Sequence, residues 1–244
     1  MALLRRAMRG AYKLAASRRS PLSPLLRMPA LEKARQRLNA GNVLAADVVE
    51  VLAWLQAAGV RAWLVGGWAT DALLGGQTRA HADVDIAVEA SERETARAAL
   101  EREGFHVTHE APAGRWLSLH VKMIDDLRRP VALHPIDLDA WSAPDGPGSI
   151  RQGARELGIG EIEELFATGR LAGHDVPSLS PTAQLVLRCG YDLRDCDVRD
   201  VEELCRRFGL PRPPAYLAQV SGANAATAAN AASAAYAAPG DGDG

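Results

Sequence analysis

The chain has 244 residues, 48% of them apolar, and a formal net charge of −2. That length and composition suit one large domain or two small ones with a sizeable core. The charge is uneven. Residues 1–38 hold ten Lys or Arg against one acid, Glu32, and the remainder carries 18 basic and 29 acidic side chains. An acidic body argues against nucleic acid as the substrate and suits a cationic small molecule. No run of 18 or more apolar residues exists, so no membrane span is expected. Cys189, Cys196 and Cys205 form no CxxC and have no His at zinc spacing, which reads as free thiols in a reducing cytoplasm.

Residues 1–40 read as a basic, partly helical or disordered extension, broken at Ser20-Pro21 and Ser23-Pro24. It has no long apolar region of the secretory kind. Its composition fits contact with an anionic surface, and also a transit peptide. The first predicted helix is Ala46–Ala58, with Val48, Val49, Leu52 and Leu55 at helical spacing and Gly59 after its end. Strand Ala62–Val65, helix Trp68–Leu74 and strand Asp83–Val88 follow. Ser91 with Glu94 predicts the start of a further helix. Phe105–His109, Trp116–Met123 and Pro130–Leu138 read as strands, and Ala143–Gly148 as a loop. Glu161–Ala167 is expected to be helical and Arg170–Val176 a hairpin. Ser180-Pro181 opens two late helices, Thr182–Tyr191 and Cys196–Phe208.

The expected class is α+β: a mixed β-sheet flanked by helices, with a small C-terminal helical subdomain. The core is expected over 41–142. An acceptor-side loop, hairpin and helical subdomain is expected over 143–212, and an Ala/Gly-rich disordered tail over 213–244.

Two features carry chemistry. Strand Ala62–Val65 runs into Gly66-Gly67 and then a helix, a junction that lets phosphate oxygens approach the backbone and a helix N-terminus. Asp83 and Asp85 are two apart in a predicted strand, so their side chains share a face. Two adjacent carboxylates repel unless a cation lies between them or one takes a proton. Hard oxygen ligands beside a phosphate site suit Mg²⁺. The bland readings are a tight turn and a solvated strand edge.

The segments Trp63-Leu64-Val65-Gly66-Gly67-Trp68-Ala69-Thr70-Asp71 and Gly75-Gly76-Gln77-Thr78-Arg79-Ala80-His81-Ala82-Asp83-Val84-Asp85 resemble the DNA polymerase β-type nucleotidyltransferase superfamily. They are most similar to its antibiotic-modifying branch of lincosamide nucleotidyltransferases and aminoglycoside-2''-adenylyltransferases. The resemblance continues through Leu133-His134-Pro135-Ile136-Asp137-Leu138, Gly148-Ser149-Ile150 with Gln152, and Gln184-Leu185 to Gly190-Tyr191-Asp192-Leu193 with Asp197 and Asp200. It spans about residues 46–208.

The resemblance implies that Gly66 and Gly67 cradle nucleotide phosphates, with Arg79 as a further phosphate contact. It implies that Asp83 and Asp85 hold Mg²⁺ and that AMP passes from ATP to a hydroxyl of a small acceptor, releasing pyrophosphate. His81 and Asp71 are expected to brace the metal strand and the neighbouring helix.

In the branch, the strand before His-Pro usually reads apolar-Asp-apolar, and that third acid serves as base or extra ligand. Here it reads Val131-Ala132-Leu133. Alanine does neither job. Asp137 is the candidate replacement, but its strand parity is opposite to that of Ala132, so rescue requires a register shift. Tyr191, Asp192, Asp195, Asp197 and Asp200 read either as favourable charge at a helix start or as part of a cleft for a cationic acceptor. Arg188 replaces a His common in the branch. Trp116 and Trp141 are expected to pack. Two functional readings stand side by side: a nucleotidyltransferase, and a weakened member that binds nucleotide and metal without efficient turnover.

Overall fold

The computed structural model describes residues 43–111, 121–138, 159, 161–188 and 191–222. Its centre is a seven-stranded mixed sheet in the order β3-β4-β5-β2-β1-β7-β6, and the α+β expectation holds. The strands are β1 (Ala62–Val65), β2 (Val84–Glu89), β3 (Phe105–Glu110), β4 (Val121–Asp125), β5 (Pro130–Ile136), β6 (Phe166–Leu171) and β7 (His174–Leu179). β1 and β2 are antiparallel, while β2–β5 and β1–β7 are parallel. Helices α1 (Ala45–Ala57), α2 (Gly66–Leu74), α3 (Arg93–Arg102), α4 (Pro181–Arg188) and α5 (Asp195–Phe208) complete the frame.

Strand alternation sorts the side chains. Leu64, Val84, Ile86, Val88, Val131 and Leu133 are buried with Val48, Leu52 and Leu55 of α1 and Leu100 of α3. On the opposite face Val65, Ala87 and Ile136 pack with Leu179 and with Ala183 and Val186 of α4. β2 is therefore covered on both sides near its end, and only its beginning, where Asp83 and Asp85 lie, is left for a site. A buried ion network fastens α1 to the β4–β5 turn. The Arg129 guanidinium donates to Asp125 at 2.6 and 2.8 Å, and to Asp47 and Glu50 at 3.1 and 3.2 Å.

Three expectations change. The third helix begins at Arg93, after a short 3₁₀ turn over Ala90–Glu92, without a serine cap. Glu92 instead accepts hydrogen bonds from the Arg61 amide and guanidinium, which holds the segment against the start of β1. The helix expected over Glu161–Ala167 is a 3₁₀ turn, Ile162–Leu165, that hands over to β6 at Phe166, where pairing with β7 outweighs local propensity. The chain also stays helical through 214–222, where a structureless tail was expected to begin at 213. Tyr216 is buried there against Leu185, Val201 and Leu204, and its hydroxyl donates to Glu202 at 2.7 Å. The cap at Ser180 is as expected: its hydroxyl accepts from the Ala183 amide at 3.2 Å.

Candidate active site

β1 ends at Val65 and α2 starts with the next residue, so the backbone turns at Gly66 with φ of +68°. Glycine adopts this conformation without steric cost. Val65 pairs with Asp85 across the antiparallel ladder, which brings the turn onto the carboxylate. A Cβ at Gly66 would lie 3.1 Å from Asp85 Oδ2, and one at Gly67 would lie 2.4 Å from Arg79 Nη2. Both glycines are needed for this close approach.

The Gly66 amide is not free for phosphate, contrary to the expectation for both glycines. It donates to Gln184 Oε1 at 3.1 Å, while the Gly66 carbonyl accepts from Arg188 Nη2 and Thr70 Oγ1, each at 3.2 Å. The amides left without intrahelical partners in the first turn of α2 begin with Gly67. Arg79, its side chain 23% exposed, donates through Nη2 to Asp200 Oδ2 at 3.0 Å. Arg188 donates to the same oxygen at 2.9 Å and to Thr70 at 2.9 Å. Gln184, Arg188, Thr70 and Asp200 thus form a buried brace behind the turn. Gln184 stood in the sequence match without a role, and Asp200 was read with the acidic cluster as helix-start charge or acceptor cleft, not as a brace. The i,i+4 spacing of Gln184 and Arg188 was the available signal.

Asp83 lies immediately before β2 and Asp85 is the second residue of that strand, where the sequence reading placed both in the strand. Asp83 is exposed as a residue, yet the protein mass around its carboxyl and then the Asp85 charge push it above the usual carboxylate range. Lys122, Arg194 and His81 pull the other way. Asp85 Oδ1 lies 3.0 Å from His134 Nε2. Behind the pair, His81 Nε2 is 2.6 Å from Asp71 Oδ2, both side chains are buried, and Trp68 stacks on His81 at 4.4 Å. The Thr78 hydroxyl donates to the other Asp71 oxygen. His81 and Asp71 therefore brace the loop that leads into β2.

The parallel register sets Ala132 opposite Asp85 and runs without a shift from Val84↔Val131 to Glu89↔Ile136. The bulge needed to turn Asp137 toward the pair is absent from this ladder. Asp137 lies beyond Ile136, five residues past Ala132, or about 16 Å along a strand, and the structure does not bring it to the pair. Among the described residues no group of three or more His, Cys, Asp or Glu could hold a metal ion. Two neighbouring carboxylates with no arginine or lysine in contact among the described residues, and a backbone kept clear of Asp85 by glycine, still fit Mg²⁺, which takes one or two carboxylates and completes its shell with water and phosphate.

Two of the four acids in the cluster after α4 are consumed. Asp197 accepts from Arg194 at 2.8 Å and from Tyr191 at 3.3 Å, and Asp200 is held by two arginines. Arg188 is 2% exposed and faces inward, so it is not a charge on an acceptor cleft. Trp116, Trp141, Asp139, Gly148, Ser149, Ile150, Gln152, Cys189 and Gly190 lie outside the described residues.

The mixed sheet, its strand–Gly-Gly–helix turn and the adjoining carboxylate pair define a nucleotidyltransferase-class fold. The profile of the aminoglycoside-2''-adenylyltransferase family matches residues 47–204, and the chain belongs to that family. A lincosamide resistance protein of Staphylococcus haemolyticus is 28% identical over 164 residues, 67% of this chain and 95% of that protein. The crystal structure of the lincosamide antibiotic adenylyltransferase LnuA, lincomycin-bound, is similar with a TM-score of 0.50 at 26% identity, covering 67% of this chain and 97% of that one. No helix among the described residues is long and apolar enough to cross a membrane.

Proposed function

We propose that the protein transfers a nucleoside monophosphate, AMP from ATP, to a hydroxyl of a small molecule of the lincosamide or aminoglycoside type, with Mg²⁺ as cofactor. The observation that carries this reading is the Gly66–Gly67 turn packed against Asp85, with Asp83 two residues before it. The free thiols Cys196 and Cys205 suit a cytoplasmic setting, where ATP is abundant.

The first-turn amides of α2 and the partly exposed Arg79 guanidinium bind the phosphates, and the buried Arg188–Asp200 brace keeps both in place. Asp83 and Asp85 would hold the divalent ion, which supplies charge stabilisation at the α-phosphate. The acceptor oxygen attacks the α-phosphorus as the bond to pyrophosphate breaks. The hydroxyl proton passes to an Asp85 oxygen or to water, because Ala132 has no group to accept it.

Ala132 also favours a second reading, a member that binds nucleotide without efficient turnover. One experiment separates the two. Purified protein with Mg²⁺, ATP and a panel of lincosamides and aminoglycosides should release pyrophosphate only when an acceptor is present. ATP binding with no release across the panel would favour the second reading.

A further inference from the structure

We propose that Lys122 is a built-in cation of the site, taking the place of a second divalent ion, so that the Asp83/Asp85 pair holds one ion. This rests on the nucleotidyltransferase reading above and concerns how its metal site is composed.

The argument is one of register. β5 lies parallel to β2 with Ala132 opposite Asp85, and β4 lies antiparallel to β5 with Lys122 opposite Ala132. Residues opposite one another in neighbouring strands point to the same face, so Asp85, Ala132 and Lys122 form one row across the sheet. Two strand spacings separate the Cα atoms of Asp85 and Lys122, about 10 Å. An extended lysine spans more than half of that distance, and the residue between them is a single methyl group.

Lys122 is exposed and has no ion-pair partner among the described residues, although arginines nearby are matched to acids. A chain with an acid at 132 would offer a third carboxylate in the same row, one more hard oxygen ligand for a pair of ions about 4 Å apart. This chain offers a methyl and an ammonium there. The ammonium offsets the doubled negative charge of the pair and repels a second divalent ion by simple Coulomb energy.

The test is Mn²⁺ binding to the full chain without nucleotide, read as free Mn²⁺ by electron paramagnetic resonance. Wild type should bind one Mn²⁺ per chain, and Asp83→Asn should abolish that binding. Lys122→Met should tighten it about tenfold, from removal of one positive charge close to the ion. Lys122→Met combined with Ala132→Asp should bind two. Because Lys122 is exposed, Lys122→Met should keep the wild-type circular dichroism spectrum. Two ions on wild type, or an unchanged affinity in Lys122→Met where Asp83→Asn still abolishes binding, would overturn the role of Lys122 alone. No Mn²⁺ binding sensitive to Asp83→Asn would overturn the metal-site reading and the role of Lys122 with it.

Discussion

Two groups of carboxylates flank the Gly66–Gly67 turn, and the protein treats them in opposite ways. On the α5 side, Asp200 is held by Arg79 and Arg188, and Asp197 by Arg194. On the β2 side, Asp83 and Asp85 have each other for neighbours, with the His134 ring against Asp85 as the direct partner. An acid clamped by an arginine in direct contact is part of the frame. A pair with no arginine or lysine in contact among the described residues, placed where glycine clears the backbone, is the part left to bind something. The spacing alone does not tell them apart: Asp195-Cys196-Asp197 repeats the Asp-x-Asp pattern. On helix α5 residues two apart diverge, whereas on a strand they align.

That contrast predicts its largest effect at the pair. Asp85→Asn should lower turnover by about 10³-fold, or about 4 kcal/mol of barrier, while the melting temperature stays within a few degrees of wild type. Steady-state kinetics beside thermal unfolding is the check, and a variant that turns over normally would remove Asp85 from the site.

The frame acid should behave in the reverse sense. Asp200→Ala strips two arginines of their shared partner, one of them 2% exposed. Breaking a buried pair by deleting one partner costs about 3 kcal/mol, so denaturant titration should show a loss of that size. A stable Asp200→Ala protein would mean that the brace behind the turn carries little.

The third effect is a gain. Ala132→Asp should raise turnover about tenfold, less than a positioned base usually gives, because Lys122 lies opposite and would pair with the new carboxylate. No gain, in a protein that folds and binds ATP, would show that an acid at this row position is not what limits the reaction.

The sequence exposed the local parts of this arrangement and hid the lateral ones. The Gly-Gly turn, the place of Asp85 on a strand, and the serine cap at Ser180 depend on neighbours within a few residues. Their periods are written in the chain. The row Asp85–Ala132–Lys122 depends on which strands adjoin and in what register, which no single segment encodes. The same holds for Gln184, which takes the Gly66 amide from 118 residues away. The burial of Arg188 is not legible either, because an arginine in an acidic neighbourhood looks the same in sequence whether it is exposed or buried. The short 3₁₀ turn at Ile162–Leu165 was misread as a helix because Glu and Leu favour one, while pairing with β7 decides the segment.

The smallest effect is a difference of sign. Asp83 is raised, so the folded state holds a proton there more tightly than the unfolded chain does. Its ionised form therefore penalises folding once the pH exceeds its unfolded value of about 3.9. Burial also opposes ionisation of Asp197, but hydrogen bonds from the Arg194 side chain and backbone outweigh it and hold that carboxyl low. The stability from Asp197 is present above about pH 3.9 and lost as pH falls through its depressed folded value. In metal-free buffer at pH 7, Asp83→Asn should match wild type in stability or exceed it by less than about 1 kcal/mol, since exposure screens the repulsion. Asp197→Asn should be the less stable of the two. The Asp83 difference should fade as the pH drops below about 4, where folded wild type carries that carboxyl neutral, and the Asp197 difference only as the pH falls further, through its depressed folded value. Thermal melts of the three proteins between about pH 3 and 8 measure this. If both variants lost stability equally at pH 7, the division between matched and unmatched acids would fail where it is most finely drawn.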